Sequence, residues 1–308
     1  MTSSIISQPD PIDQATFEIA DHLYRARLAG EVDRESLRSI NRSHGTDVAT
    51  ALLYRHFRSR PMEIPFLGPK QGEKSWMIVI VPGAFHKEHP EIGGDGREIR
   101  DLAKTNGWRC ETVPTASLGT TAFNAESIIQ FLNQRTDDHQ ILTISLSKGT
   151  TDLIAAVDRE PSIVDRLMGW ISISGVPCGT LMADWLLDRW RLRPILNLMC
   201  WKLGADKQAV RDLRHAPGSS HQVFQQIPCI HVAGFPLQRH LSNWRSRLWH
   251  RRLRSTGPND SVVLLEDLLG VSGTVLPIWG ADHYLKTQWD LRRVTQDLVN
   301  KLTTRQSA

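Results

Sequence analysis

The stretch His139-Gln140-Ile141-Leu142-Thr143-Ile144-Ser145-Leu146-Ser147-Lys148-Gly149-Thr150 decides how the rest of the chain is read. Its apolar run, Ile141 to Ile144, predicts a buried strand, and the segment from Thr150 to Arg159 predicts a helix. Ser147 therefore falls where a strand turns sharply into a helix. A hydroxyl on such a turn is lifted clear of the sheet, and the N–H groups of the first helical turn point toward any negative charge that forms beside it. Ser172-Ile173-Ser174-Gly175 also follows an apolar run, but it continues into Val176-Pro177-Cys178-Gly179, which does not open a helix in the same way.

A serine hydroxyl is a poor nucleophile at neutral pH, so this geometry needs a base to take its proton and a carboxylate to orient that base. The candidate base is His283, which ends Thr274-Val275-Leu276-Pro277-Ile278-Trp279-Gly280-Ala281-Asp282-His283, a short strand followed by a glycine turn. The candidate carboxylate is Asp260, in the turn-forming cluster Gly257-Pro258-Asn259-Asp260. Its rivals are Glu266 and Asp267, read as the solvated face of a helical run, and Asp282, whose adjacency to His283 sends the two side chains in different directions. The order along the chain is Ser, Asp, His.

That order, on a chain that alternates strands and helices, resembles the α/β-hydrolase superfamily over roughly residues 75–302. The family's nucleophile turn is usually Gly-x-Ser-x-Gly, and here Ser145 replaces the first glycine. The resemblance implies backbone donors for an oxyanion at Ala84 and Phe85, in Pro82-Gly83-Ala84-Phe85-His86, and at Lys148 beside the nucleophile. It also implies a cap over the site at about residues 177–226, where the alternation lapses and the texture becomes helical. Five of the ten tryptophans fall between residues 185 and 249, and a cap lined by Trp, Leu and Met suits an apolar acyl group. The plainer use of those rings is to anchor the insert.

Strand and helix patterns succeed one another at Trp76–Val81, Arg97–Asn106, Trp108–Val113, Asn124–Asn133, Gln140–Ser145, Thr150–Arg159 and Trp170–Ser174, with a further strand at Pro228–Ala233. This predicts an α/β fold: a mostly parallel sheet covered by helices on both faces, whose ligands bind at the carboxyl ends of the strands. Ahead of it, residues 1–65 read as an N-terminal helical extension. It holds a polar tail, helices around Ile12–Leu28 and Val48–Arg58, and a proline-rich link from Arg60 to Pro65; residues 66–308 form the catalytic domain with its cap.

Composition narrows the alternatives. The 308 residues are 40% hydrophobic and 23% charged, with no apolar run long enough to span a bilayer and no basic, apolar secretion signal at the start, so a cytoplasmic address is expected. Cys110, Cys178, Cys200 and Cys229 are too sparse for a disulfide framework. His86, Glu88, His89 and Asp95 lie close together, but they lack the i, i+4 histidine spacing of a helical zinc site, and neither metal nor cofactor is expected. With 37 Lys and Arg against 33 Asp and Glu there is no broad phosphate-binding surface, and nucleic acid is not an expected partner. The arginine-rich stretch 239–254 reads as a helix packed by its aromatic face, with peripheral membrane or polyanion contact as its alternative use. The expected activity is a serine hydrolase acting on a carboxylic ester or thioester with an apolar acyl group, its partner a small-molecule ester or lipid-like substrate. An acyltransferase using the same triad, and a non-catalytic binding protein, are the alternatives. Oligomeric state is not legible.

Overall fold

The computed structural model describes residues 13–28, 32–60, 75–135, 139–216, 223–241, 243–285 and 291–303. The expected polar tail, the helix start at Ile12 and the proline-rich link at 61–65 lie outside the described residues. In chain order the elements are helices α1 (Gln14–Leu23, continued by a π turn at Tyr24–Leu28), α2 (Arg34–His44) and α3 (Thr46–Ser59); then β1 (Trp76–Val81), α4 (Arg97–Thr105), β2 (Cys110–Thr112), α5 (Thr121–Asn133), β3 (Gln140–Leu146), α6 (Lys148–Arg159) and β4 (Leu167–Ile173). The insert supplies α7 (Leu181–Asp188), α8 (Arg193–Leu203), α9 (Lys207–Arg211) and α10 (Val223–Gln226); β5 (Cys229–Phe235), α11 (Trp244–Leu253), β6 (Thr274–Trp279) and α12 (Leu291–Thr303) complete the chain.

The six strands form one sheet in the order β2-β1-β3-β4-β5-β6. β1 pairs in parallel with β2 and β3, and β3 with β4, in a register that sets Val79 beside Thr143 and Ser145 beside Ser172. The central strands read as near-continuous apolar runs because both their faces are covered: Met77–Val81 and Ile141–Leu146 are all buried. The alternating α/β expectation therefore holds. The predicted strand at Trp108–Val113 shortens to three residues, and the helix expected from Thr150 starts two residues earlier, at Lys148.

The described residues fall into two compact units, one from within 1–63, 232–271 and 275–290, the other from within 64–231, 272–274 and 291–308. In the first, α1 and α3 bury an aromatic cluster in which Phe17 and Tyr54 lie 4.5 and 5.1 Å from the Trp279 ring, with Phe57 and Phe235 alongside. The N-terminal helices thus share a core with Ala233, Phe235, Leu265 and Trp279. The sequence reading passed over α2. The only apolar side chains it buries are Leu37 and Ile40, too few for a periodic signal. Its start is nonetheless written locally, since the Asp33 carboxylate accepts the Ser36 N–H at 2.7 Å and the Asp33 N–H donates back to the Ser36 hydroxyl.

Glu266 and Asp267 do not face solvent on a regular helix. They sit buried on a 3-10 turn, Leu265–Gly270, where Arg38 forks onto Glu266 at 2.6 Å and Arg34 reaches Asp267 at 3.3 Å. A buried carboxylate needs such partners, and both arginines come from α2, more than two hundred residues earlier in the chain.

Two buried histidines make the fold acid-sensitive. Burial, aided by Arg60, holds His56 of α3 at a pKa of about 4, and burial holds His231 of β5 there too, against a hydrogen bond to the Ser272 carbonyl at 3.0 Å. The unfolded chain takes up these protons near pH 6.5 while the folded one refuses them until about pH 4. Stability is complete above pH 6.5 and falls as the pH drops through that window, by at most roughly 3 kcal/mol per residue. Urea unfolding across this range should show the decline, and His56→Phe or His231→Gln should each flatten it.

Candidate active site

The turn after β3 is shaped by a shortage of space. A Cβ on Gly149 would come within 2.4 Å of the Val81 carbonyl oxygen and 2.7 Å of that of Pro82, so only glycine lets α6 begin this close to the end of β1. Ser147 absorbs the reversal with φ of 47°, in the left-handed region, and its N–H donates to the Ile173 carbonyl of β4 at 3.0 Å. Ser145, which stands in the family pattern's first glycine position, is held in a buried polar chain. The Trp170 indole N–H donates to its hydroxyl at 2.7 Å, and that hydroxyl meets Thr150 at 2.8 Å, which in turn meets Ser172 at 2.9 Å. The departure from glycine is thus satisfied by hydrogen bonds rather than empty room.

The expected oxyanion loop lies against this turn. Gly83 sits so near that a Cβ there would lie 3.0 Å from the Leu146 carbonyl oxygen and 3.3 Å from the Ser147 Cβ. The His86 Nδ1 bonds the Gly83 carbonyl at 2.8 Å; since burial lowers the His86 pKa, the ring is neutral and Nδ1 carries the donated proton. A trans peptide points its C=O and N–H in opposite directions, so anchoring the Gly83 carbonyl turns the Ala84 N–H the other way. Phe85 follows with φ of 59°.

Lys148 contributes more than the backbone donor expected of it. Its side chain is buried, and its ammonium meets both carboxylate oxygens of Asp152, one turn along α6, at 2.5 and 2.8 Å. Asn124 of α5 donates to the same carboxylate at 2.8 Å, and with its other bonds fastens the backbone of Ala116. Burial raises the Asp152 pKa against the pull of Lys148. The pair pins the first turn of α6. Neither Asp152 nor Asn124 was singled out from sequence, although the Lys-x-x-x-Asp spacing was there to find.

In the other unit, Asp260 and His283 come together. The Asp260 carboxylate takes the His283 Nδ1–H at 2.8 Å with one oxygen, and with the other the N–H groups of Val262 and Val263 at 2.9 and 2.8 Å. The His283 backbone N–H donates to the Asp260 carbonyl at 3.0 Å. Held at main chain and ring alike, the imidazole carries its proton on Nδ1, which makes Nε2 the basic nitrogen. Asp282 turns aside to accept the Tyr284 N–H at 3.0 Å.

Backbone strain singles out the same places. Among the described residues the non-glycine positions with positive φ are Phe85, Ser147, Ser174, Ser261 and Leu285. Phe85 and Ser147 are themselves candidates, Ser261 follows Asp260, and Leu285 lies two residues past His283. Ser174 follows Ile173, the last residue of β4, whose carbonyl binds the Ser147 N–H, and among the described residues its buried hydroxyl has no hydrogen-bond partner. Such conformations cost of order 1–3 kcal/mol each and gather where geometry serves function.

Other readings resolve differently. His86, Glu88, His89 and Asp95 each have separate partners, and among the described residues no group of three or more His, Cys, Asp or Glu is arranged to hold a metal ion. The four cysteines are unbridged. No helix among the described residues is long and apolar enough to cross a membrane. α11 does not pack by its aromatic face: Ser246, His250 and Leu253 are buried while Trp244 is exposed.

The buried pair on α6 gives a direct expectation. Asp152→Ala, which strands the Lys148 ammonium, should lower unfolding free energy by about 3–5 kcal/mol, while Lys148→Met combined with Asp152→Leu should recover most of that loss in urea titrations.

No family model matches the chain, and no curated protein matches it in sequence. Solved structures do. A metagenomic carboxyl esterase is 18% identical, with 88% of this chain and 86% of that one covered at a TM-score of 0.52. The lipase BlEst2 of Bacillus licheniformis, in mature form, is 18% identical over 79% of this chain and 96% of its own, at 0.57. At such identities the likeness is one of fold. With the six-stranded sheet and the turn at Ser147, it identifies this chain as having the α/β-hydrolase fold.

Proposed function

We propose that this chain is a serine hydrolase of carboxylic esters or thioesters with an apolar acyl group, in which Ser147 is the nucleophile, His283 the base and Asp260 the orienting acid. The observation that carries the reading is the grip of Asp260 on His283, which fixes the tautomer a general base needs. Topology adds support. Ser147 and the 82–86 loop follow β3 and β1, His283 follows β6, and ligands of parallel sheets bind at the carboxyl ends of strands. The fold neighbours, an esterase and a lipase, agree with an ester substrate.

In this mechanism the Ser147 Oγ attacks the carbonyl carbon as its proton passes to His283 Nε2. The N–H groups of Ala84 or Phe85, and of Lys148, stabilise the tetrahedral oxyanion, each donor being worth about 3 kcal/mol. The imidazolium then protonates the departing alkoxide or thiolate. Water, deprotonated by the same nitrogen, attacks the acyl-enzyme, and collapse of the second intermediate frees the acid and restores the serine hydroxyl. Asp260 keeps its hydrogen bond to Nδ1 and stabilises the imidazolium. No metal or organic cofactor enters this sequence of steps.

A fluorophosphonate should label the protein at Ser147, as read by peptide mass, and should fail to label Ser147→Ala. On an aryl ester of a fatty acid, Asp260→Asn should cut kcat/KM by roughly 10⁴-fold, whereas Asp267→Asn should cost stability through its Arg34 partner and spare turnover. Labelling that survives Ser147→Ala, or small and equal effects of the two Asp→Asn changes, would overturn the assignment.

A further inference from the structure

Helix α8 presents two apolar faces where a surface helix ordinarily has one. Leu196 and Cys200, four residues apart, are buried. Ile195, Leu198 and Trp201, three apart and on another side of the helix, are 53, 60 and 80% exposed, and Trp190 on the preceding turn is 69% exposed. Their spacing makes a continuous row rather than scattered single contacts, the kind of patch that marks an interaction surface.

Charge decides what the row suits. From Arg189 to Leu203 there is no Asp or Glu, against Arg189, Arg191, Arg193 and Lys202. The Arg191 guanidinium lies over the Trp190 ring at 5.3 Å, placing a cation beside an exposed indole. One flank of α8 opens into a cleft of about 620 Å³ lined by Arg193, Lys207, Arg211 and Arg214 together with Leu187 and Leu196. Asp184 and Asp188 engage Arg214, and Asp206 caps α9. A protein partner would have to match a Trp row and a predominantly basic rim at once. An anionic lipid surface matches both, because indoles settle at the boundary between headgroups and chains while arginines reach the phosphates.

We infer that the α8 face, Trp190 with Ile195, Leu198 and Trp201, docks this protein peripherally on anionic lipid surfaces. The inference stands apart from the hydrolase assignment, since it rests on no catalytic residue. It concerns the insert and is separate from the peripheral contact that the sequence left open for residues 239–254.

Co-sedimentation of the full chain with vesicles of phosphatidylcholine and phosphatidylglycerol in equal parts, beside pure phosphatidylcholine, tests it. The expected result is binding to the anionic vesicles that weakens with salt and carries a blue shift of tryptophan emission. Trp190→Ala with Trp201→Ala should weaken that binding about tenfold or more, as should Arg191→Glu with Arg193→Glu, without lowering the thermal midpoint, since these side chains are exposed. Equal binding to neutral vesicles, no binding at all, or a loss produced by Trp244→Ala and not by the α8 changes would overturn it. So would a self-association in the absence of lipid that Trp201→Ala abolishes.

Discussion

The absence of room at the start of α6 governs the end of the sheet at which the proposed nucleophile stands. Because a Cβ on Gly149 would lie 2.4 Å from the Val81 carbonyl oxygen and 2.7 Å from that of Pro82, the chain leaves β3 with little space for an ordinary turn, and Ser147 takes a positive φ of 47°, at a cost of order 1–3 kcal/mol. The same crowding sets the 82–86 loop against the Ser147 turn, and Lys148, which opens α6, is buried with its ammonium on the Asp152 carboxylate. The polar chain through Trp170, Ser145, Thr150 and Ser172 then braces the same corner from beneath. A larger residue at position 149 would disturb all of these together.

The other half of the proposed chemistry is built by a different device. Asp260 stands in a tight turn that satisfies one of its oxygens with main-chain donors and leaves the second to the imidazole. The unit holding this pair is also the one that takes up the N-terminal helices, tied to it by the Arg34 and Arg38 ion pairs and the Phe17, Tyr54 and Trp279 rings. Those helices therefore support the segment that carries His283, and a change in them would reach the proposed chemistry through stability.

Much of the sheet was legible because buried parallel strands write themselves as unbroken apolar runs bounded by turns; β1 falls on the residues foreseen for it, Trp76–Val81. Ser147, Asp260 and His283 could be nominated for a related reason, as each stands at a strand end or in a turn-forming cluster, and the structure brings Asp260 and His283 into hydrogen-bond contact. What stayed hidden depends on partners distant in sequence. Glu266 and Asp267 look solvated until α2 supplies Arg38 and Arg34. Asp152 looks like half of a surface pair until the fold buries it and brings Asn124 to donate to it. The packing face of α11 misled because its rings suggested a core that the small Ser246 and the buried His250 in fact form.

The central claim is that the Ser147 hydroxyl and the His283 imidazole work on one carbonyl. A crystal structure of the protein inactivated by an alkyl phosphonate measures this directly. The account requires phosphorus bonded to Ser147 Oγ, His283 Nε2 within about 3.2 Å of a phosphonate oxygen, and the phosphoryl oxygen accepting from the Lys148 N–H and the 84–85 backbone. A phosphonylated Ser147 whose adduct lies out of reach of that imidazole would contradict it.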